Sequence, residues 1–221
     1  MTDQNQEIPW NAKEVKQQLQ EAFENNSEID LLRILKQNSF LFYDLYNRRR
    51  SVEPIFHEVS FGNLRCDFLW LNDASSGPEW VFVEIEKPRL KLFKKNGDPT
   101  HEFSHAIEQV KSWRRYFEEN PASKKETFGA VAQFRYILVV GDKNEWTNEN
   151  NSRWRIEHHK RDTVIEIRSS DVFFKALKYL EEIPKQFWGF AEKPVTRNCS
   201  ELREYWMNFG NYMDTWRKII T

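Results

Sequence analysis

Two short turn sequences divide residues 55–86 into three apolar-rich segments of fixed register, and this constrains the fold more than any other feature of the chain. Ile55 to Phe61 runs into Leu64 through Gly62-Asn63, whose glycine accepts the positive φ that a tight hairpin needs. Leu64 to Leu71 is followed by Asn72-Asp73-Ala74-Ser75-Ser76-Gly77-Pro78 and then by Trp80 to Glu86, which predicts a second hairpin. Symmetric closure opposes residues whose numbers sum to 125 across the first turn, and to 151 about the Ser75/Ser76 bond in the second. Glu58 then faces Asp67, Asp67 faces Glu84, and Arg65 faces Glu86.

Opposed residues on antiparallel strands have Cβ atoms roughly 5 Å apart, and strand alternation puts residues 84 and 86 on one face. Glu58, Asp67 and Glu84 would therefore form a row, with Glu86 beside it. Like charges so placed repel unless protons are shared or a cation lies over them. A hard divalent ion with oxygen ligands answers this economically. A slip of one residue in either register would instead send a side chain to the other face and leave Glu86 to pair with Arg65.

With 221 residues the chain can build one full α/β domain and a small appendage, and its 15% aromatic content, including nine Trp and seventeen Phe, excludes a disordered or low-complexity protein. The formal net charge of −1 hides local segregation. Lys87-Pro-Arg-Leu-Lys-Leu-Phe-Lys-Lys95 carries five cations and no acid, and further clusters occur at Arg48-Arg49-Arg50, at Lys111 with Arg114-Arg115, and at Arg153 with Arg155 and His158 to Arg161. A basic run is often only a solvated face. Placed directly after an acidic strand, it is also what a phosphate backbone would need beside a metal site. Cys66 and Cys199 have no ligand-like spacing and are expected as free thiols. The N-terminus has no signal-peptide pattern and no apolar stretch reaches membrane-spanning length, so a cytoplasmic, soluble protein is expected.

Helical periodicity is predicted over residues 11–25, with Val15, Leu19, Ala22 and Phe23 on one side, and again over 29–47. After the turn Asn96-Gly97-Asp98-Pro99, Thr100 is a natural N-cap for a helix whose apolar face is Phe103, Ala106, Ile107, Val110, Trp113 and Phe117. His105, Gln109 and Trp113 form a stripe at its margin, either an ordinary polar edge or a set leaning over the carboxylates. Gln133 to Gly141 reads as a buried strand reached by a crossover. Arg153 to His159 and Thr163 to Arg168 read as further strands, and Asp171 as the cap of a helix to about Leu180. Residues 1–50 are thus expected as a helical N-terminal segment on the core and 51–183 as the main domain. Residues 184–221 read as an aromatic-rich helical tail that docks on the core or mates with a second copy.

Gly62, Asp67-Phe68, Val83-Glu84-Ile85-Glu86-Lys87-Pro88, Leu92-Phe93, Gly97-Asp98-Pro99-Thr100, Ser104-His105-Ala106-Ile107, Gln109-Val110 and Trp113-Arg114-Arg115 occur in an order and spacing that resembles the nuclease-like domain of the Shedu family of bacterial anti-phage defence proteins, within the PD-(D/E)xK group. The resemblance spans roughly residues 50–145 and more weakly to 180. It implies a restriction-endonuclease-like fold, a mixed central sheet flanked by helices. Asp67 matches the motif aspartate and Glu84 the motif acid, Gln109 falls where many members carry a supporting glutamine, and Glu58 fits an additional acidic position. The motif lysine is replaced by Glu86, with Lys87 one residue beyond.

The resemblance thus implies hydrolysis of DNA phosphodiester bonds with Mg²⁺ or Mn²⁺ held by Asp67, Glu84 and Glu58. Glu86 or Lys87 would handle the attacking water, and Gln109 would support the site. Lys87, Arg89, Lys91, Lys94, Lys95, Arg114 and Arg115 are the candidate backbone contacts. The rival reading is a non-catalytic nucleic-acid-binding or protein-interaction subunit of the same fold, in which the missing lysine marks lost chemistry.

Overall fold

A computed structural model describes residues 8–46, 52–161 and 164–220. The clusters Arg48-Arg49-Arg50 and the start of the segment at Thr163 lie outside the described residues. The centre is a mixed six-stranded sheet: β1 Phe56–Phe61, β2 Leu64–Ala74, β3 Gly77–Ile85, β4 Gln133–Val139, β5 Ile165–Arg168 and β6 Arg197–Asn198, in the order β5-β4-β3-β2-β1-β6. β1, β2 and β3 pair antiparallel, whereas β4, β5 and β6 join parallel to their neighbours. The helices are α1 Ala12–Glu24, α2 Glu28–Gln37, α3 His101–Glu119, α4 Pro121–Phe128, α5 Lys143–Thr147, α6 Glu149–Arg161, α7 Val172–Glu182, α8 Trp188–Ala191, α9 Leu202–Asn208 and α10 Asn211–Ile219.

Each face of the sheet is covered, as a largely parallel or mixed sheet of apolar strands requires. Phe68, Trp70, Val81, Val83, Ile85, Ile137 and Val139 pack against α1, α2, α7 and the short turns around Phe42 and Phe187. On the opposite face Leu69, Leu71, Trp80, Phe82, Tyr136 and Leu138 meet Phe103, Val110, Trp113 and Phe117 of α3, with Leu202, Trp206 and Met213 of the last two helices. The C-terminal stretch is built into this fold. Phe187 and Phe190 are fully buried, β6 extends the sheet, and the Trp206 indole N–H donates to the Thr127 carbonyl at 2.9 Å.

Both hairpin registers follow the sums predicted from the turns. Phe56 opposes Leu69 and Phe61 opposes Leu64, while Ala74 opposes Gly77 and Phe68 opposes Val83. The second hairpin is longer than its apolar core suggests, because Asn72 is buried and its side-chain amide donates to Glu79 at 2.5 Å, extending the pairing towards the turn. Thr100 caps α3 through its hydroxyl, which accepts from the Phe103 N–H at 3.3 Å.

Two expectations require correction. Residues 153–159 are helical, inside α6, where Trp154 and His158 stack one turn apart with ring centroids 4.8 Å apart; Asn148 initiates this helix by accepting the Ser152 N–H on its backbone carbonyl. The single helix foreseen over 29–47 ends at Gln37, where Asn38 caps it and a 3₁₀ turn, Ser39–Phe42, buries its aromatic side chains against the sheet.

Candidate functional site

Strand alternation fails at one level of the sheet. In β1, Phe56 and Val59 both join the core on the α3 side, and in β2 so do Cys66 and Leu69, so each strand skips one side chain at Glu58 and Asp67 respectively. Glu58 adopts a φ of 53°, the left-handed region that non-glycine residues avoid. At the same level β2 and β3 part: the ladder ends at Phe68–Val83, and Asp67 accepts the Ile85 N–H on Oδ2 at 2.8 Å in place of a backbone bond. The pair Asp67 and Glu84, set opposite each other by sequence register, therefore sits where the sheet opens.

Glu84 is 6% exposed. One of its oxygens, Oε1, accepts a short hydrogen bond from the Gln109 side-chain amide of α3, and the other, Oε2, is buried with no partner among the described residues. Burial pushes the Glu84 carboxyl well above the usual carboxylate range, reinforced by Asp67, Glu86 and Glu28. Burial likewise raises Asp67 to about 7, against the opposing effect of the Ile85 N–H. Glu86 is raised to about 7 by burial and by the charges of Glu28 and Asp67.

These groups line a cleft of about 690 Å³ whose walls include Glu28 at the start of α2, Asn63 to Arg65, and His105, Glu108, Gln109, Ser112 and Trp113 of α3. The marginal stripe of α3 thus leans over the acids. The Trp113 indole N–H, fully buried, has no acceptor among the described residues. Glu28 is the member that the sequence pattern did not single out. It reaches the cleft from another layer of the fold, and burial raises its own carboxyl.

Glu58 is not brought to the pair. Its turned backbone places the carboxylate 3.2 Å from Lys36 Nζ and 4.0 Å from Arg65 Nη1, half-exposed, and hydrogen bonding to Lys36 holds its pKa below the usual value. Lys87, Arg89, Lys91, Lys94 and Lys95 are exposed on the segment joining β3 to α3. Arg114 and Arg115 line a separate hollow of about 180 Å³ with Lys111 and Tyr136, and ion-pair with Glu118 and Glu108 at 2.7 and 3.3 Å.

Among the described residues no three Asp, Glu, His or Cys side chains converge closely enough to ligate one ion together. The donor chemistry still suits a hard divalent cation. A buried carboxylate oxygen of Glu84, without a partner among the described residues, belongs to the same cleft as the half-buried carboxylate of Asp67, where the strands part. Magnesium commonly uses only one or two protein carboxylates, with water and substrate phosphate completing its shell. Cys66 and Cys199 are free thiols. Among the described residues no helix is long and apolar enough to cross a membrane.

Comparison with known families matches residues 25–174 to the family described as Shedu protein SduA, C-terminal. No match to a curated protein was found.

Proposed function

Because the chain belongs to the Shedu SduA C-terminal family, associated with anti-phage defence, we propose that it is a metal-dependent endonuclease acting on DNA. The observation that carries this reading is the unpartnered, buried Oε2 of Glu84 beside Asp67. A fold keeps such a group only at a cost, because an unpaired buried polar atom is destabilising by about 1–3 kcal/mol.

Bound Mg²⁺ or Mn²⁺ would polarise a phosphate and acidify a coordinated water. Asp67, whose Oδ2 accepts the Ile85 N–H, would hold the ion together with Glu84. Gln109 orients Glu84 by donating to Oε1, so that Oε2 is presented. Glu86, whose carboxyl lies near 7, is matched to accepting a proton from the attacking water at neutral pH, in the place where the group's lysine usually stands. Lys87, whose charge partly opposes the upward shifts of Glu86 and Glu28, is exposed directly after β3. Together with Arg89, Lys91, Lys94, Lys95, Arg114 and Arg115 it would engage the DNA backbone.

A second reading is supported by the same glutamate: without the motif lysine, the cleft would bind DNA and leave it uncut. Incubation of plasmid and linear DNA with the purified protein in Mg²⁺, Mn²⁺ or EDTA separates the two. Metal-dependent cutting that is lost in Glu84→Ala supports the nuclease, and Glu86→Lys then reports whether glutamate has taken over the lysine's task. Intact binding without cutting in either metal supports the binding subunit.

A further inference from the structure

We infer that Glu58 is a positioning residue that holds Arg65, with Lys36, as a phosphate clamp on the wall of the acid cleft. The clamp would take a backbone phosphate next to the one at Asp67 and Glu84. This rests on the nucleic-acid reading above and assigns Glu58 a role other than metal ligation.

Charge balance in the cleft comes first. Its described lining carries five carboxylates, Glu28, Asp67, Glu84, Glu86 and Glu108, against one guanidinium, Arg65, and the imidazole of His105. A polyanion entering such a cleft meets repulsion that a divalent ion at one end relieves only locally. Arg65, with its side chain 62% exposed, has its guanidinium available for the planar, bidentate hydrogen bonding that suits phosphate.

The backbone supplies the second observation. Glu58 occupies the left-handed region in the middle of a strand, where a larger, non-glycine residue is strained. The conformation carries its carboxylate away from Asp67 and sets one oxygen, Oε1, between Lys36 of α2 and Arg65 of β2. Two cations from different elements share one carboxylate, leaving one net positive charge on a trio of which Arg65 lines the cleft. The strain and the ion pairs arise together from one residue, and both are removed by one substitution.

The test is binding of a short DNA duplex in EDTA, followed by fluorescence anisotropy across a salt series, for the wild type, Arg65→Ala, Glu58→Gly and the double variant. Glycine adopts a φ of 53° freely, so Glu58→Gly keeps the strand's geometry while deleting the carboxylate. Arg65→Ala is expected to weaken binding about tenfold at low salt and to lower the slope of log K against log salt by about one. Glu58→Gly is expected to weaken binding several-fold although it removes a negative charge, and Arg65→Ala should then add less than about twofold in that background. Tighter binding by Glu58→Gly, or an unchanged salt slope in Arg65→Ala, would overturn the clamp while leaving DNA binding itself intact. A wild type that does not bind DNA at low salt would overturn the clamp and the nucleic-acid reading together.

Discussion

Glu79 and Glu84 lie five residues apart on β3 and are almost equally buried, 8% and 6% exposed, yet they are treated in opposite ways. Glu79 has both oxygens satisfied: Asn72 donates to Oε2 at 2.5 Å and Gln133 to Oε1 at 2.7 Å. Glu84 has one oxygen bonded to Gln109 and the other bonded to nothing among the described residues, with Asp67 and Glu86 adding like charge. Burial alone therefore says little about purpose. A buried acid whose partners complete it belongs to the scaffold, and one left incomplete beside other acids, in a cleft, is the stronger functional candidate.

The largest expected effect is on catalysis. Glu84→Ala or Asp67→Ala should lower cleavage about a thousandfold or more, since several kcal/mol of charge stabilisation would be lost with the ion. Glu79→Ala, matched for burial, should retain the wild-type rate per folded molecule in the same plasmid assay. Gln109→Ala, which only frees Glu84 to turn, is expected to cost about ten- to a hundredfold in activity or metal affinity, read as a raised Mn²⁺ requirement. On stability the ranking reverses. Glu79→Ala strands the buried amide donor of Asn72 and should destabilise by about 1–3 kcal/mol in urea unfolding, whereas Glu84→Gln should be neutral or stabilising without metal.

The pH dependence sharpens the contrast further. Asp67 and Glu86 have folded-state carboxyls near 7, raised above the unfolded value, so the folded protein holds more protons between about pH 4 and 7. Their contribution to stability is thus fully present below the unfolded pKa and is lost as pH rises through about 7. In EDTA the unfolding midpoint should fall between pH 5 and 8, and the fall should be shallower in the Asp67→Asn, Glu86→Gln double variant. An equal fall in both would place the titration elsewhere.

Much of this arrangement is legible in the sequence because turns are local. Gly62-Asn63 and Ser75-Ser76 fix two registers, and those registers set Asp67 opposite Glu84 before any tertiary contact is considered. Gln109 lies on the margin of a helix with clear apolar spacing, and the family resemblance is what sets it apart from His105 on the same stripe. Glu58 defeats the same reasoning, because its numerical register holds while a left-handed φ turns its side chain away, and nothing in Phe56-His-Glu-Val-Ser-Phe61 announces that conformation. Glu28 is invisible for another reason, since it comes from α2 through packing of separate layers. In α6, Trp154, Ile156 and His158 mimic a strand's alternation, whereas Ile156 is 57% exposed and the segment's helical hydrogen bonding prevails.

The most direct measurement is the thermal unfolding midpoint at pH 7.5 with increasing Mn²⁺, taken for the wild type, Glu79→Gln and Glu84→Gln. A ligand that binds only the folded state stabilises by about 2.7 kcal/mol at a hundred times its Kd. The expected result is a concentration-dependent rise in the wild type and in Glu79→Gln that is abolished in Glu84→Gln. An equal rise in all three proteins, or none in the wild type, would contradict a metal site built on the incomplete carboxylate of Glu84.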